Sequence, residues 1–582
     1  MTTTRQRRGS PGGRLLVVLA GSVCAFLAIS GRLVALQVVD SDTLAANATD
    51  QRLRKVELPA DRGRLFDRNG RDLALSVDAR TIYAQPPLIK DPEAVADKLY
   101  PILRGDRAEL LADLRSKSSF VYLARKVRPS TGTRINKLKL TGVGVLDDTR
   151  RGYPNGKLAA QVIGFTGNDG EGLAGLELQY DSMLRGRAGS MLLERDPKGR
   201  PIPGGQHQLE PPVQGSDVVT TLDAQIQFKA EEALAKAVKE HKAHSGSIVV
   251  MAPSSGEVLA MANWPTYDPN TFSKAKPDQI RNRAVVDAFE PGSTNKTITA
   301  AAALEAGVVT PSTMLTVPDR LPLCPNKTFS DSHEHETEQI PFSQVVAESS
   351  NVGTIIVAKQ LGPEKLAKAA LDFGYGKQTG VGFPGESAGL VNPVQEWRCT
   401  DLGVNAIGQG VATTVLQMAS VYATVANDGI LVQPSLVRGV IDPWGEYKDN
   451  PPPATRPVIS PATARALTGI LTKVTKEGGT GTEAAVSGYA VAGKTGTARV
   501  PDLKKGGYIP GAYFASFMGF APAERAKEGV VVAVVLDRPT PIFGGLVAAP
   551  VFRHVAQYAV TRLGLPPARR GTGTSPGRGA AP

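Results

Sequence analysis

The apolar and polar positions of this chain change their spacing several times, and each change predicts a different element. An uncharged run over residues 15–31 ends at the next charged residue, Arg32. Together with residues 33–39 this run reaches the about 20 residues that a helix needs to cross a bilayer. We therefore predict a transmembrane anchor over residues 15–39, preceded by a short basic arm of residues 1–14.

The basic residues of this arm predict the orientation of the anchor; they are Arg5, Arg7, Arg8 and Arg14. Positive charge before a first apolar segment stays in the cytoplasm, so the arm is expected inside and the residues after 40 outside. A cleaved signal peptide is the alternative, because it has the same order of basic and apolar residues. No small-x-small site closely follows the apolar run, which favours a retained single-pass anchor.

Beyond the anchor, the pattern alternates between strand and helix periods. Two β-type runs flank Asn69-Gly70 and predict a hairpin with a two-residue turn. Residues 88–150 are charged and have the apolar spacing of amphipathic helices. From residue 216 the pattern predicts a strand, a helix over about residues 224–241, and a hairpin turning at residues 253–256. More helices, and strands after residue 485, indicate an α+β domain over residues 216–565 with a mainly antiparallel sheet flanked by helices.

Composition changes this picture in two places. A chain of 582 residues is long enough for more than one domain, and its last stretch, residues 566–582, is so rich in Gly, Pro and Arg that we predict disorder. The net charge of +12 is dispersed along the chain. Without a zinc-finger spacing or an aromatic-basic RNA motif, this charge does not indicate nucleic-acid binding.

The candidate chemistry centres on residues 289–307. Pro291 and Gly292 cannot continue a helix from upstream, whereas Ser293 can cap a new one that the alanine-rich run then extends until Gly307 ends it. Positions i and i+3 of a helix share a face, so Ser293 and Lys296 are expected side by side. This pair supplies a nucleophile with a base in reach.

Two further motifs follow in order. The first is the S-x-N triplet Ser349-Ser350-Asn351, and the second is the strand-like K-T-G-T run Lys494-Thr495-Gly496-Thr497. The ordered set S-x-x-K, S-x-N and K-T-G resembles that of the penicillin-recognising serine acyltransferases. The R-G-x-hydrophobic-x-D-R-N-G pattern after Asp61 resembles the start of the pedestal in class B penicillin-binding proteins. The segment Asp331-Ser332-His333 resembles the cell-division, FtsI-like members.

This resemblance implies an architecture and an activity. A membrane-anchored chain would carry an extended pedestal, or dimerisation-type domain, over residues 40–215 and a penicillin-binding transpeptidase domain over residues 216–565. The implied enzyme is a serine-type D-Ala-D-Ala transpeptidase that cross-links peptidoglycan stem peptides on lipid-linked precursor strands during septal wall synthesis. It needs no cofactor, and β-lactams acylate it. An FtsW-like membrane glycan polymerase and other division proteins are the implied partners.

The resemblance also implies a role for each motif residue. Ser293 would attack the donor carbonyl, and Lys296 would act as base once burial and the nearby Lys494 lower its pKa. Ser349 would relay a proton to the leaving amine. The substrate would be held by Asn351, Thr495, Gly496 and Thr497. Gly496 has no side chain and would allow close approach of the peptide. The backbone N–H groups of Ser293 and Thr497 would form the oxyanion hole.

Three other interpretations fit parts of the sequence. A β-lactamase or D,D-carboxypeptidase would need water delivered to the acyl-enzyme, and the loop beginning at Glu386 only loosely matches the glutamate loop of class A β-lactamases. A catalytically silent division scaffold would not need three intact motifs. Residues 488–495 match the phosphate-loop pattern, but the run before Lys494 is β-prone and no helix start follows it.

The cysteines and histidines leave smaller questions. Cys324 and Cys399 both lie in the predicted exported part and can form one disulfide, although two buried free thiols fit the sequence equally well. Cys24 lies in the anchor, where it is an inert apolar residue. His333 and His335 form an H-x-H pair without an evident third strong ligand, so no metal site is predicted.

Overall fold

The computed structural model describes residues 11–39, 53–194, 207–325 and 327–567. The chain divides into two compact units, one of residues up to Ala60 with Gly186–Gln214 and the other of Asp61–Arg185 with the residues from Gly215 onward. Residues 1–10 of the predicted arm and residues 568–582 of the predicted tail lie outside the described residues.

The described strands are numbered in chain order. They are β1 Leu53–Leu58, β2 Leu65–Phe66, β3 Asp72–Ala84, β4 Val121–Val127, β5 Val143–Gly152, β6 Gly189–Glu194, β7 His207–Glu210, β8 Asp217–Thr220, β9 Ser245–Met251, β10 Val258–Trp264, β11 Met314–Val317, β12 Arg320–Cys324, β13 Lys327–Ser330, β14 Glu338–Pro341, β15 Ile430–Val432, β16 Val437–Ile441, β17 Tyr447–Asp449, β18 Thr455–Pro457, β19 Ala492–Pro501, β20 Tyr508–Ala521 and β21 Val530–Asp537.

The described α-helices are numbered in the same way. They are α1 Pro11–Val34, α2 Pro92–Leu103, α3 Arg107–Leu114, α4 Pro129–Lys137, α5 Ala160–Ile163, α6 Gly175–Gln179, α7 Asp181–Leu184, α8 Ala224–Glu240, α9 Pro277–Ile280, α10 Arg283–Val286, α11 Lys296–Glu305, α12 Phe342–Ala347, α13 Asn351–Leu361, α14 Pro363–Asp372, α15 Asp401–Ala406, α16 Val415–Ala426, α17 Pro461–Val474, α18 Gly544–Val547 and α19 Ala549–Arg562.

The first unit contains the apolar helix and a small sheet. Helix α1 continues into a π-helical turn, Ala35–Val39, and the segment Gly12–Val38 is long and apolar enough to cross a membrane. The most apolar stretch of this segment is not buried against any other part of the chain that the structure describes, as expected of a lipid-facing helix. It fits the anchor predicted over residues 15–39. Strands β1, β6 and β7 of the same unit form an antiparallel three-stranded sheet.

The second unit is built around a five-stranded antiparallel sheet in the order β10-β9-β21-β20-β19. Alternate residues of β9 enter two different cores. Ile248 and Val250 pack with helices α8 and α19, whereas Val249 and Met251 pack with α16 on the other face. Because both faces are buried, the central strands are continuous apolar runs. The predicted α+β fold with a mainly antiparallel sheet flanked by helices is confirmed, and β19 lies at the edge of this sheet.

A second sheet joins distant parts of the chain. Its order is β17-β16-β8-β2-β3-β4, and β5 pairs with β3. Strands β2 to β5 precede the boundary predicted at residue 215, and β8, β16 and β17 follow it. One sheet therefore contains strands from both predicted domains. The boundary at residue 215 between the pedestal and the transpeptidase domain remains a prediction.

Two local predictions were wrong in part. Residues 88–150 contain helices α2 to α4 but also strands β4 and β5, most of whose residues are half-buried or exposed. The β2–β3 hairpin exists, but its loop runs from Asp67 to Arg71. The Asp67 carboxylate accepts hydrogen bonds from the N–H groups of Asn69 at 2.8 Å and Arg71 at 2.9 Å. An aspartate that binds its own loop has replaced the two-residue turn.

Arg62 of the R-G pattern lies in a buried ion cluster. Its guanidinium contacts Glu177 and Asp181, each at 2.7 Å, and Arg151 contacts the same Glu177 at 2.6 Å. The Glu177 side chain is fully buried, so this carboxylate balances two guanidinium groups within the protein. The neighbouring Gly63 has no room for a side chain, because a Cβ there would lie 2.0 Å from the carbonyl oxygen of Ser216.

Candidate active site

Ser293 lies in a 3-10 turn, Gly292–Asn295, that leads directly into α11. Gly292 has a φ of +55° and donates its N–H to the carbonyl of Gly408 at 2.9 Å. The serine does not cap the helix, contrary to our prediction, because α11 begins only at Lys296 without a side-chain cap. Its half-buried hydroxyl has no hydrogen-bond partner among the described residues. The nucleophile is therefore left free to react.

Other side chains hold this turn in place. Thr294 Oγ1 donates to the carbonyl of Pro291 at 2.8 Å, and the Tyr422 hydroxyl donates to the carbonyl of Thr294 at 3.0 Å. Asn295 Nδ2 donates to the carbonyl of Asn405 at 2.9 Å. Because Tyr422 and Asn405 come from distant parts of the chain, the sequence motif alone gave no sign of them.

Lys296 links the first motif to the second. Its Nζ donates to the carbonyl of Ser349 at 2.6 Å and to Asn351 Oδ1 at 2.7 Å, and it lies 3.3 Å from Ser349 Oγ. The side chain is fully buried. Burial lowers the pKa of Lys296 to about 7, although the Asp331 carboxylate raises it. A substantial fraction of this lysine is thus neutral near neutral pH.

The S-x-N turn has a strained backbone at its first residue. Ser349 has a φ of +64°, an unusual conformation for a residue with a side chain. Asp331 stabilises the turn, since its carboxylate accepts hydrogen bonds from Ser350 Oγ at 2.7 Å and from the N–H groups of Val352, at 3.0 Å, and Asn351. This carboxylate also lies at the N-terminus of α13, where negative charge is favourable.

The sequence identifies Asp331 only as part of a family signature and does not reveal this role. No periodic pattern connects it with the S-x-N triplet, which follows at a distance along the chain. His335 is engaged at both ring nitrogens, by Asp331 at 3.3 Å and by the carbonyl of Glu336 at 2.7 Å. Among the residues that the structure describes, no group of three or more His, Cys, Asp or Glu side chains is placed to hold a metal ion.

Lys494 is fully buried in the middle of β19. Burial lowers its pKa well below the ordinary value, and the charge of Lys296 lowers it further. The two lysines are therefore close, as predicted. Of the two causes expected to lower the pKa of Lys296, burial acts, whereas the charge of Lys494 is not among the causes. The position of Lys494 within a strand also excludes a phosphate loop, which needs a turn followed by a helix.

Glycine is needed at position 496 for the packing of β19, a reason that was not predicted. A Cβ at this position would lie 2.3 Å from Ser516 Oγ, 2.9 Å from Thr294 Cγ2 and 3.1 Å from the carbonyl of Pro291. These atoms belong to the neighbouring strand and to the turn that carries Ser293. The glycine therefore lets β19 pack directly against the nucleophile turn. Its predicted contact with substrate remains a prediction.

The first threonine of the K-T-G-T run contacts the amine of Lys494, whose Nζ donates to the Thr495 carbonyl at 3.2 Å and to Thr495 Oγ1 at 3.4 Å. Thr495 Oγ1 is hydrogen-bonded to Thr480 Oγ1 at 2.8 Å, and Thr497 Oγ1 accepts a hydrogen bond from the N–H of Gly544 at 3.4 Å. Thr497 is half-buried. Since β19 is an edge strand, backbone groups on its free side are open to an extended ligand.

Glu386 begins the loop that loosely matches the glutamate loop of class A β-lactamases. The Glu386 carboxylate is 7% exposed and accepts hydrogen bonds from the N–H of Thr379 at 2.7 Å and from its hydroxyl. This carboxylate is thus occupied within its own loop, not directed at a hydrolytic water.

Cys324 and Cys399 form a disulfide between residues 75 apart in sequence, with a Cα–Cα distance of 6.0 Å.

Family models match both parts of the chain. The penicillin-binding protein transpeptidase domain matches residues 246–557, and the penicillin-binding protein dimerisation domain matches residues 57–220. Penicillin-binding protein PbpB of Mycobacterium tuberculosis is 36% identical over 591 residues, covering 96% of this chain and 85% of that protein. The chain belongs to the class B penicillin-binding proteins.

Two more relatives agree with this class B penicillin-binding protein assignment. Peptidoglycan D,D-transpeptidase FtsI of Escherichia coli is 33% identical and covers 94% of this chain and 92% of that protein. The crystal structure of penicillin binding protein 3 from M. tuberculosis, complexed with aztreonam, has a TM-score of 0.70 and 32% identity over 88% of this chain and 98% of that chain. The expected family and its pedestal and transpeptidase architecture are confirmed.

Proposed function

We propose that this class B penicillin-binding protein cross-links peptidoglycan stem peptides through an acyl-enzyme on Ser293. The observation that supports the proposal best is the position of Lys296. This lysine is fully buried, has a pKa of about 7, and lies one helical turn from a serine hydroxyl that no described residue binds. A neutral amine beside a free hydroxyl is the arrangement that serine activation requires.

In the first step, neutral Lys296 takes the proton of Ser293 as its oxygen attacks the carbonyl of the penultimate D-alanine. The N–H groups of Ser293 and Thr497 stabilise the oxyanion, where one donor is typically worth about 3 kcal/mol. Ser349, 3.3 Å from Lys296 Nζ, passes the proton to the nitrogen of the departing D-alanine as the C–N bond breaks. The products are an ester on Ser293 and free D-alanine.

In the second step, the amine of a neighbouring stem peptide attacks the ester. A new amide forms, the Ser293 oxygen regains its proton, and the two strands are linked. The energy of the lost D-Ala-D-Ala amide is retained in the ester, so no ATP is needed. A β-lactam would enter the same first step, but its ring keeps the leaving nitrogen attached to the acyl group.

The substrate contacts follow from the geometry of β19. Lys494, Thr495 and Thr497 hold the terminal carboxylate of the donor, and the donor backbone adds to the free edge of the strand. Asn351, whose Oδ1 accepts from Lys296, offers its amide to the substrate backbone. With residues 1–14 in the cytoplasm, as their arginines predict, the reaction takes place outside the membrane. An FtsW-like polymerase and other division proteins supply and organise the strands.

The test uses the full chain in detergent and a labelled penicillin. We expect one adduct, on Ser293, that is absent from Ser293→Ala. With a D-Ala-D-Ala donor, the product should be the cross-linked amide when an amine acceptor is present. Rapid hydrolysis of donor or drug without acceptor would support a D,D-carboxypeptidase or β-lactamase instead. The absence of any adduct from a folded protein would refute the proposal and support a silent scaffold.

A further inference from the structure

His335 belongs to the H-x-H pair found in the sequence, and the reaction proposed above gives it no role. It lies between β13 and β14 in a segment whose residues are mostly exposed, yet its own side chain is only 8% exposed. The side chain of Asp331, which its ring contacts, is 5% exposed. Because buried ionisable groups need a partner for their charge, the ring and the carboxylate form one unit.

Both nitrogens of the His335 ring face an acceptor. Nδ1 lies 2.7 Å from the carbonyl oxygen of Glu336, and Nε2 lies 3.3 Å from Asp331 Oδ2. A neutral imidazole carries only one N–H, so it would turn the lone pair of its other nitrogen toward one of these oxygens. The imidazolium donates to both of them. The geometry therefore favours the protonated ring, which forms an ion pair with Asp331.

The surroundings of the ring have the same overall effect. Its titratable neighbours lie on the segment before β14, on β14 and after α12, and they are Asp331, His333, Glu338 and Glu348. Burial lowers the pKa of His335, but the hydrogen bonds to Glu336 and Asp331 and the charges of Asp331 and Glu338 raise it above its ordinary value. The carboxylates on the neighbouring elements thus also favour the imidazolium.

Asp331 connects this ring with the S-x-N turn. Its Oδ2 accepts a hydrogen bond from Ser350 Oγ at 2.7 Å, and its Oδ1 accepts from the N–H groups of Asn351 and, at 3.0 Å, Val352. Asn351 Oδ1 in turn accepts from Lys296 Nζ at 2.7 Å. A continuous series of contacts therefore leads from the His335 ring to the base of the proposed reaction.

Asp331 also acts on Lys296 through its charge. Burial lowers the pKa of Lys296 to about 7, and the Asp331 carboxylate opposes this effect by raising the pKa. An imidazolium in contact with the carboxylate offsets its negative charge, so less of that charge acts on Lys296. While His335 is protonated, Lys296 therefore loses its own proton more easily.

We propose that His335 is a positioning residue for acylation, whose protonated ring holds the Asp331 carboxylate on the S-x-N turn and offsets the charge of that carboxylate toward Lys296. His335 acts through Asp331 and is not itself a catalytic residue. The proposal rests on the proposed function, since it concerns the base of the same acylation step. It adds to the site a residue that lies outside the three motifs.

The test is the pH profile of penicillin acylation in His335→Gln, measured on the full chain in detergent. Glutamine keeps an N–H for Asp331 but carries no charge. The midpoint of the profile should rise by about half a pH unit or more, so acylation at about pH 6 should be about threefold slower or more. At about pH 9, where the native ring is neutral as well, the two rates should agree within about twofold. His333→Gln, at an exposed histidine, should keep the native profile.

A double variant tests whether His335 acts through Asp331. In the Asp331→Asn background, His335→Gln should leave the midpoint unchanged, because no carboxylate charge remains to be offset. Titration of the histidine rings by NMR needs no change at His335 and tests the ion pair directly. The His335 ring should lose its proton at lower pH in Asp331→Asn than in the native protein, and equal titration in the two proteins would refute the ion pair.

Three results of the acylation assay would overturn the positioning role. One is slowing of His335→Gln by the same factor at every pH, as expected of a merely structural contact. Another is a native midpoint in His335→Gln, and the third is an equal upward shift in the Asp331→Asn background. Each of these results leaves the adduct on Ser293, and with it the proposed function, intact. Absence of the adduct from the native protein would refute both proposals.

Discussion

The ionisation of Lys296 predicts the pH dependence of acylation. The reactive form has a neutral Lys296, and the lysine is half neutral at its pKa of about 7. About one tenth is neutral one pH unit below this value, and about nine tenths one unit above it. The second-order rate of penicillin acylation should therefore rise about tenfold between pH 6 and pH 8 and then level off. Lowering the pKa from 10.5 to about 7 corresponds to about 5 kcal/mol in favour of the neutral amine.

The measurement is the rate of covalent labelling by a fluorescent penicillin at each pH, with melting temperature as the control for folding. Asp331→Asn removes the carboxylate that raises the pKa of Lys296, so the midpoint should move to lower pH. Lys296→Met should abolish labelling, whereas Lys473→Met, at an exposed lysine, should keep both the rate and its midpoint. A native rate that is constant from pH 6 to 8, or that falls with pH, would refute the role of Lys296 as base.

Three other predictions concern the framework. Gly496→Ala should slow acylation at least tenfold, because the new Cβ would lie 2.3 Å from Ser516 Oγ. Gly469→Ala is the control and should not slow acylation, since the space around Gly469 is open. Equal acylation rates for the two variants would contradict the packing argument. Glu177→Ala should lower the free energy of unfolding by about 3–5 kcal/mol in denaturant titrations, since two buried guanidinium groups lose their partner. Replacing Cys324 and Cys399 with serine should cost up to about 4 kcal/mol, and an unchanged melting temperature would show that the disulfide adds no stability.

The sequence predicted well the features that depend on residues close together along the chain. The strand around Lys494, the helix after Ser293 and the β9–β10 hairpin follow from local patterns of apolar and turn residues. What sequence missed depends on contacts between distant segments. Asp331 reaches the S-x-N turn through the fold, and the space missing at Gly496 is filled by Thr294 and Ser516.

Two errors have a physical explanation. Strands β4 and β5 were predicted as helix, because charged residues on the exposed face of a sheet resemble those on the outer face of a helix. The lowered pKa of Lys296 was ascribed both to burial and to the charge of Lys494, and only burial lowers it. The first case shows that composition does not reveal which face of an element is covered.

The sheet that contains β2, β3 and β8 has a consequence for how the protein can be divided. A fragment beginning at residue 216 would lack β2, so the N–H and C=O groups of β8 that face it would lose their partners. An open strand edge of this kind recruits other chains. We infer that the soluble part must be expressed with residues 61–84 included. A displacement of β2 would be transmitted through its backbone hydrogen bonds to β8, the strand that precedes α8.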